Sequence, residues 1–544
     1  MESIEIVLAM LLAVVASGYL VRALPISLPL PLVQIALGAV ISGVFKQGVI
    51  LEPHIFFLLF LPPLLFLDGW RIPKDGLFRD KATILELAFG LVIFTVLGIG
   101  LLVHWMIPSM PLPVAFALAA IVSPTDPVAV SSITTRVPIP RRLMHILEGE
   151  SLLNDASGLV CFRFAVAAAM TGSFSLASAS LTFLWVALAG LGIGAGITMG
   201  ISIAQRWLSH HFGEDDGSSI LVSLLTPFAA YLAAETLQAS GILAAVAAGV
   251  TMSYVELTGR ALATTRLHRS AVWDTVQFSL NGIMFVLLGE QLPGIVHGAM
   301  QTVETGEHLA PVWLFGYALA ICLGLIVLRF IWVWASLRLT LFRRQGENHE
   351  PVKSHWRLLL ATSVAGVRGA ITLAGVLTLP LLLPDGTPFP ARDLAIFLAT
   401  AVILLTLTVA SIALPRLLRG LEIPQEATAL QEEDLARQHA ARAAIAAIER
   451  TRRRMARDAA DADIHTKAAS RVIGVYQHRL EQSAGGEGEA NQLRRADQAE
   501  RTLRLAALEA ERNEVFKLAR EQRISDATSR KLVREIDLVE SRYR

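Results

Sequence analysis

Apolar stretches of bilayer-crossing length recur through the first four-fifths of the chain, separated by short polar or charged loops. About thirteen can be drawn, near 4–22, 26–45, 54–70, 84–107, 113–134, 143–170, 180–205, 217–236, 240–256, 271–291, 311–341, 355–382 and 392–418. Each is close to the ~20 residues that a helix needs to span a hydrocarbon core. After Pro424 the pattern changes. Residues 426–481 and 491–542 are rich in Ala, Glu, Arg and Leu, with apolar residues such as Ile445, Ile448, Val472, Ile473 and Val475 interspersed. The run Ser483-Ala-Gly-Gly-Glu-Gly-Glu489 separates the two blocks. This reads as a helical hairpin packed on itself or on a second copy. The pattern therefore predicts an all-α polytopic membrane domain over 1–420 and a soluble helical domain over 421–544.

Two of the apolar stretches carry helix breakers at mid-membrane depth. The fifth contains Ser123-Pro-Thr-Asp-Pro127, two prolines flanking Thr125 and Asp126. Each proline removes a backbone donor and clashes with the preceding turn, so the helix should be interrupted there. The twelfth contains Gly366-Val-Arg-Gly-Ala370, an arginine between two glycines. Non-helical backbone at this depth is tolerated only inside protein or along a cavity. Two broken helices seven spans apart point to inverted repeats crossing at a central site; that symmetry rests on spacing, since no sequence repeat is visible.

The sixth stretch holds the densest polar cluster, Glu148-Gly-Glu-Ser-Leu-Leu-Asn-Asp155. On a helix Ser151 and Asp155 lie one turn apart on one face, and Glu150 and Asn154 on the adjoining face. A charge at this depth costs several kcal/mol, roughly 3 on insertion scales, and so lines a wet cavity or is paired. An ion or proton site is the first reading; a polar helix–helix contact is the other.

The chain has 544 residues, is 54 % hydrophobic and has a mean hydropathy of +0.55, which places it outside the soluble class. The net charge of +1 gives no basic surface for nucleic acid. About half of the charged residues follow residue 420. With the N-terminus outside and the spans alternating, nineteen Lys and Arg fall in the inner loops and only Lys46 and Arg392 in the outer ones. This asymmetry orients the chain with its tail in the cytoplasm. Cys161 and Cys322 both lie in apolar runs, suggesting neither a disulfide framework nor a thiolate metal site. Arg452-Arg453-Arg454 in the tail reads as a solvated helix face, or as a contact with anionic membrane lipid.

At Ser123-Pro-Thr-Asp-Pro-Val-Ala-Val130, Glu148-Gly-Glu-Ser-Leu-Leu-Asn-Asp155 and Val367-Arg-Gly-Ala-Ile371 the chain resembles the monovalent cation:proton antiporter family 1, the bacterial sodium/proton exchangers related to those of animals and plants. Leu61-Pro-Pro-Leu-Leu-Phe66 is similar to the family's third helix. The resemblance covers roughly residues 1–420. It implies that Asp155 is the cation- and proton-binding carboxylate, with Asn154, Ser151 and Thr125 beside it and Asp126 as a second carboxylate at the crossover. Asp155, Thr125 and Ser151 would then hold the sodium ion, and Glu150 with Arg368 would form a buried ion pair joining two halves of the transport domain. Much of the family has an acid directly after the Pro-Pro-x-x-Phe segment; here Leu67 stands there and the acid is Asp68. One residue turns a helix by about 100°, so either Asp68 faces the cavity or it sits at the cytoplasmic interface beside Trp70 and Arg71.

A carboxylate can hold a partly dehydrated sodium or potassium ion, or a proton, but not both comfortably. That competition is the basis of exchange, and Asn154 before Asp155 leaves one acid in the pair, which predicts electroneutral exchange. The remaining intramembrane polar residues each carry a structural reading too. Arg163, two turns past Asp155, either tunes the site or bonds to backbone. Arg329 is read as structural; Asp274, Asn281 and Glu290 as an access funnel, with Glu290 at the outer interface. Glu86 and Glu235 fall near span ends, and His145 is an interfacial residue or a pH sensor. The resemblance further implies a homodimer, with spans one to three and seven to ten as scaffold and spans four to six and eleven to thirteen as a mobile domain. The expected activity is antiport of sodium, potassium or lithium against protons in a bacterial inner membrane, with no cofactor and no enzymatic reaction. A passive cation channel and a membrane sensor signalling through the tail fit the same pattern.

Overall fold

The computed structural model describes residues 2–23, 28–45, 53–72, 84–126, 130, 141–172, 176–213, 215–257, 263–305, 311–343, 356–419, 427–455, 462–482 and 487–541. Among them are eighteen α-helices, divided between two compact units, Met1–Leu421 and Glu422–Arg544.

The first unit begins with α1 (Glu2–Ala23), α2 (Leu30–Phe45) and α3 (Pro53–Arg71). A π-helical turn, Glu86–Leu91, leads into α4 (Val92–Met106). Then come α5 (Leu112–Val122), α6 (Arg141–Thr171), α7 (Leu176–Phe212), α8 (Asp216–Thr236), α9 (Gly241–Glu256) and α10 (Ala263–Thr305). The unit ends with α11 (Pro311–Arg343), α12 (Trp356–Val364), α13 (Ala370–Leu377) and α14 (Arg392–Leu418). Helix occurs in each of the thirteen apolar stretches. Eight helices are long and apolar enough to cross a membrane, and α2, α5 and α9 are shorter apolar helices. Large apolar side chains such as Trp185, Leu188, Phe315 and Leu323 remain exposed along α7 and α11, as expected of faces solvated by lipid.

Both predicted breaks are present. Helix α5 stops at Val122, and Ser123 to Asp126 are non-helical; α12 ends at Val364 and α13 restarts at Ala370. Pro124 has no N–H to continue the first helix, and Gly369 caps the second without a side chain.

The helices sort into two bundles by their packing. Helices α1 to α3 and α7 to α10 form one; the π turn, α4 to α6 and α11 to α14 form the other. The bundles meet mainly where α10 faces α14 and α13, and where α3 faces α13 and α6. Within each bundle glycines allow helices to approach closely. A Cβ at Gly38 of α2 would overlap the Val286 carbonyl of α10, and one at Gly289 of α10 would overlap the Ile35 carbonyl of α2. Gly69 and Gly249 make the same reciprocal fit between α3 and α9, against Val246 and Phe66. In the other bundle Gly100 receives the Phe116 ring and Gly375 the Ile121 side chain. Small residues at such crossings supply the dispersion contact that replaces the hydrophobic effect in lipid.

The second unit differs from the expected single hairpin. It has four helices, α15 (Ala427–Met455), α16 (Ala462–Gln482), α17 (Glu487–Arg520) and α18 (Asp526–Glu540), paired as α15 with α16 and α17 with α18. The extra reversal comes from Gln522, whose φ of 55° ends α17 in a left-handed turn, followed by Ser525, whose hydroxyl caps α18 at the Thr528 N–H (3.2 Å). Arg512 then ties α17 to Asp537 and Glu540 of α18.

Candidate functional site

Helix α6 runs without interruption from Arg141 to Thr171, so the polar cluster enters the protein as one rigid strip. Glu150, Ser151, Asn154 and Asp155 are all buried. Ser151 and Asp155 face a cavity of about 40 Å³, where they meet Thr125 and Asp126 from the break after α5 and Thr372 from α13. The other bundle closes the cavity with Asp68 from α3 and with Gln277 and Asn281 from α10. A water needs roughly 10–15 Å³ of such space, so the cavity admits a partly dehydrated cation with one or two waters, and no fully hydrated ion.

The two breaks are stitched to each other. The Asp126 N–H donates to the Val367 carbonyl (2.8 Å). Arg368 donates from Nε to the Val122 carbonyl at the end of α5 (2.7 Å), and from Nη1 to the Gly366 carbonyl. Its own N–H donates to Thr406 Oγ1 of α14 (3.3 Å). A guanidinium thus satisfies the carbonyls released at the C-terminal end of α5, where the helix dipole favours a cation. At the opposite polarity, Asp126 lies against Gly369 at the start of α13, so close that any Cβ at 369 would overlap its carboxylate. That carboxylate occupies the positive end of a half-helix.

The expected pairing of Glu150 with Arg368 is replaced by another. Glu150 Oε1 and Oε2 accept from Arg329 Nη1 (2.5 Å) and Nη2 (2.6 Å), a bidentate pair with both side chains almost fully buried. Arg329 also donates Nε to the Thr362 carbonyl of α12 (3.0 Å). The reason is that Arg368 is drawn to the open carbonyls of the crossover, whereas Arg329 on α11 presents its planar fork to the carboxylate. The network continues into the site: Thr125 Oγ1 donates to Glu150 Oε1 (3.3 Å) and accepts from Asn154 Nδ2 (3.0 Å). Asn154 Oδ1, although buried, has no hydrogen-bond partner among the described residues. A hard oxygen left in this state one residue from Asp155 is suited to a cation that passes through.

Asp68 lines the cavity, half-buried, rather than standing at the interface. Leu67 packs instead into the Phe66 and Trp273 cluster, which turns Leu64 and Asp68, one helical turn apart, toward the site. Arg163 is not part of the site: it is exposed and pairs with Glu235 of α8 at 3.4 Å. Asp274 pairs with Arg71, which also donates to Gln277 Oε1 (2.8 Å). Glu290 is buried and accepts from Gln291 (2.7 Å). Thr372 and Gln277 were not apparent from the sequence. Gln277 was nonetheless findable, since Asp274, Gln277 and Asn281 form a polar stripe of helical spacing in an apolar helix. Ser157, two residues past Asp155, donates to the Ala88 carbonyl in the π turn (2.6 Å), anchoring α6 to an acceptor that the irregular turn exposes. Pro127, Pro424, Lys46, Lys74, Lys81, Lys353, Arg79, Arg136, Arg260 and Arg344 lie outside the described residues, as do the side chains of Arg141, Arg142, His145, Arg338 and Arg343.

Among the described residues no three His, Cys, Asp or Glu groups are close enough to hold one metal ion together. A cation here would be shared between carboxylate and neutral oxygens, from Asp155, Ser151 and Thr125 above all. Such a shell suits a weakly held monovalent ion rather than a resident divalent one.

A family profile described as sodium/hydrogen exchanger, transmembrane, matches residues 9–420. The uncharacterized Na(+)/H(+) exchanger YjcE of Escherichia coli (strain K12) is 41 % identical over 549 residues, covering 99 % of this chain and 99 % of the relative. The sodium, potassium, lithium and rubidium/H(+) antiporter of Bacillus pumilus (strain SAFR-032) is 45 % identical over 419 residues, covering 76 % of this chain and 61 % of the relative. In fold, the sodium proton antiporter MjNhaP1 from Methanocaldococcus jannaschii at pH 8 is similar, with a TM-score of 0.57 at 18 % identity, over 77 % of this chain and 99 % of that one.

Proposed function

The chain belongs to the sodium/hydrogen exchanger family, and from that premise we propose that it exchanges sodium for protons at Asp155, with potassium and lithium as further substrates. The observation that carries the reading is the convergence of Asp155, Asp126 and Asp68 with the Ser151 and Thr125 hydroxyls on one small cavity at the crossing of the broken helices. The named range of the Bacillus relative, from sodium to rubidium, supports a site of loosely matched oxygens over a rigid sodium cage. Asp155, Ser151 and Thr125 hold the cation, Asn154 orients Thr125, and Asp126 holds the crossover in place. The pair of Glu150 with Arg329 holds Thr125.

Exchange follows from competition. Entry of a cation displaces the Asp155 proton on one side, and the loaded or the protonated site is then exposed on the other. One carboxylate changing one partner moves no net charge, so exchange is electroneutral. The bundle of α4 to α6 and α11 to α14 carries the site past the bundle of α1 to α3 and α7 to α10 in an elevator-like motion. The latter bundle also forms a homodimer in the bacterial inner membrane, with the N-terminus outside. The cytoplasmic helical unit regulates transport or steadies the dimer, and the whole serves pH homeostasis.

The test is proton flux in proteoliposomes with an imposed pH gradient and added sodium, potassium or lithium. Cation-driven release of protons, unaltered by a valinomycin-set membrane potential, is expected. No flux with any of the three cations from about pH 5 to 9 would overturn the reading, and a potential-dependent rate would overturn its electroneutrality.

Asp68 supplies a further prediction. A charge at roughly 6–10 Å in a partly wet site contributes about 2 kcal/mol. Asp68→Asn should therefore raise the apparent KM for sodium about tenfold to thirtyfold while leaving the maximal rate largely intact. An unchanged KM would remove Asp68 from the site.

A further inference from the structure

A second and larger cavity, of about 870 Å³, opens where α7, α8, α9 and α10 come together at the end that the loop charges assign to the cytoplasm. It shares no lining residue with the cavity at Asp155. Its volume is that of a small-molecule site, and its wall is apolar, with Ile201, Leu208 and Val222 among the lining side chains. Phe212, on that wall, and Trp207 nearby on α7 are exposed, at the level where aromatic residues mark the membrane interface.

The polar side of the cavity is built around Arg269, which is 4 % exposed. Arg269 donates Nη1 to Glu256 Oε1 (2.8 Å) and Nη2 to Ser219 Oγ (3.0 Å). Its Nε–H is buried with no partner among the described residues. Arg206, also on the wall, uses Nε on the Ser202 carbonyl (3.1 Å), and its two terminal nitrogens have no acceptor among the described residues. The two carboxylates among the described wall residues are already engaged. Asp215 caps α8 by accepting from the Ser218 N–H (2.8 Å) and hydroxyl (2.5 Å), bonds that hold it below the usual carboxylate range. Glu256 accepts from Trp70 Nε1 (2.8 Å) as well as from Arg269. Among the described residues, Arg269 and Arg206 thus bring unmet donor capacity to the cavity, beside an apolar slot.

We propose that this cavity binds a membrane phospholipid, its phosphodiester held by Arg269 and Arg206 and an acyl chain lying along Ile201, Leu208 and Val222. A phosphodiester brings one negative charge and several acceptor oxygens, the complement of an arginine with an unmet N–H. Free phosphate would share the headgroup chemistry but leave the apolar wall unfilled. Glu256 also joins Arg269 to Trp70 of α3.

The experiment follows the melting temperature of the delipidated full-length chain in detergent, titrated with dioleoyl phosphatidylglycerol or phosphatidylethanolamine. Inorganic phosphate and glycerol 3-phosphate are run alongside as soluble headgroup sources. A saturable rise of about 2–3 °C at hundredfold saturation is expected with lipid, and none with the soluble phosphates. Arg269→Met should abolish the rise. Because that change also breaks a buried pair, Ala204→Trp provides the second arm: Ala204 is an exposed residue on the cavity wall, and the indole would fill the slot without touching the polar network. A lipid shift in Ala204→Trp equal to that of the wild type would overturn the proposal. So would a soluble phosphate that reproduces the full rise.

Discussion

Asp155→Asn should reduce cation-driven proton release to the leak of protein-free vesicles. The replacement keeps the volume of the side chain and one of its oxygens, so the cavity between Ser151 and Thr125 survives. What it removes is the only group at that position that can change between a proton and a cation. An amide binds neither strongly, and a neutral side chain cannot present a charge for the ion to neutralise. Proteoliposome flux at several pH values is the measurement. In the wild type, the apparent affinity for sodium should weaken as the pH falls, because protons compete for the same oxygens; in the variant there should be no flux to titrate. Wild-type exchange by Asp155→Asn would transfer the role to Asp126 or Asp68, the other carboxylates on the cavity wall.

The second large effect concerns stability. Arg329→Met should lower the stability of the protein by about 3–5 kcal/mol, the usual cost of leaving one member of a buried pair alone. Glu150 would lose both of its bonds from α11 at once, and the Thr362 carbonyl would lose its donor. Replacing both partners, Glu150→Leu with Arg329→Met, should recover much of that loss, since a buried pair is often no better than packed apolar groups. Exchange should not recover with it. Thr125 would still lack the carboxylate to which it donates, and Asn154 would be oriented by a hydroxyl that is no longer fixed. Thermal melting and flux measured on the single and the double variant separate the two effects. A single variant as stable as the wild type would show that the pair contributes no net stability.

Much of the site was legible because a membrane makes polar residues conspicuous. Asp155, Ser151 and the Thr125-Asp126 break stand out against apolar neighbours, and proline and glycine act locally, so the interruptions fall where the sequence puts them. The choice of partner was not legible. Glu150 had two arginines available in apolar helices, Arg329 and Arg368, and nothing local distinguishes them. The decision is made by the carbonyls that the crossover leaves open, a property of the assembled helices. Asp68 illustrates the same limit. A one-residue offset suggested a turn away from the site, yet the aromatic cluster takes up Leu67 and so sets the rotation of α3. In the tail, the second reversal depends on a single left-handed residue, Gln522, which composition does not reveal.

The distribution of close-fitting glycines has a mechanical consequence. Among the described residues, every glycine whose added Cβ would collide with a neighbour does so inside one of the two bundles; at their boundary, Gly298 of α10 is no closer than ordinary contact to Asp393 of α14, at 3.9 Å. Inside each bundle the helices are therefore keyed like a bolt in its keeper, and no helix can move along its neighbour without lifting out. Across the boundary no such key holds the two halves in one register, so a displacement there costs the repacking of side chains and leaves the backbones clear of one another. The packing thus suits the elevator-like motion proposed above, with two keyed bodies that meet at the cavity where the carboxylates of both converge.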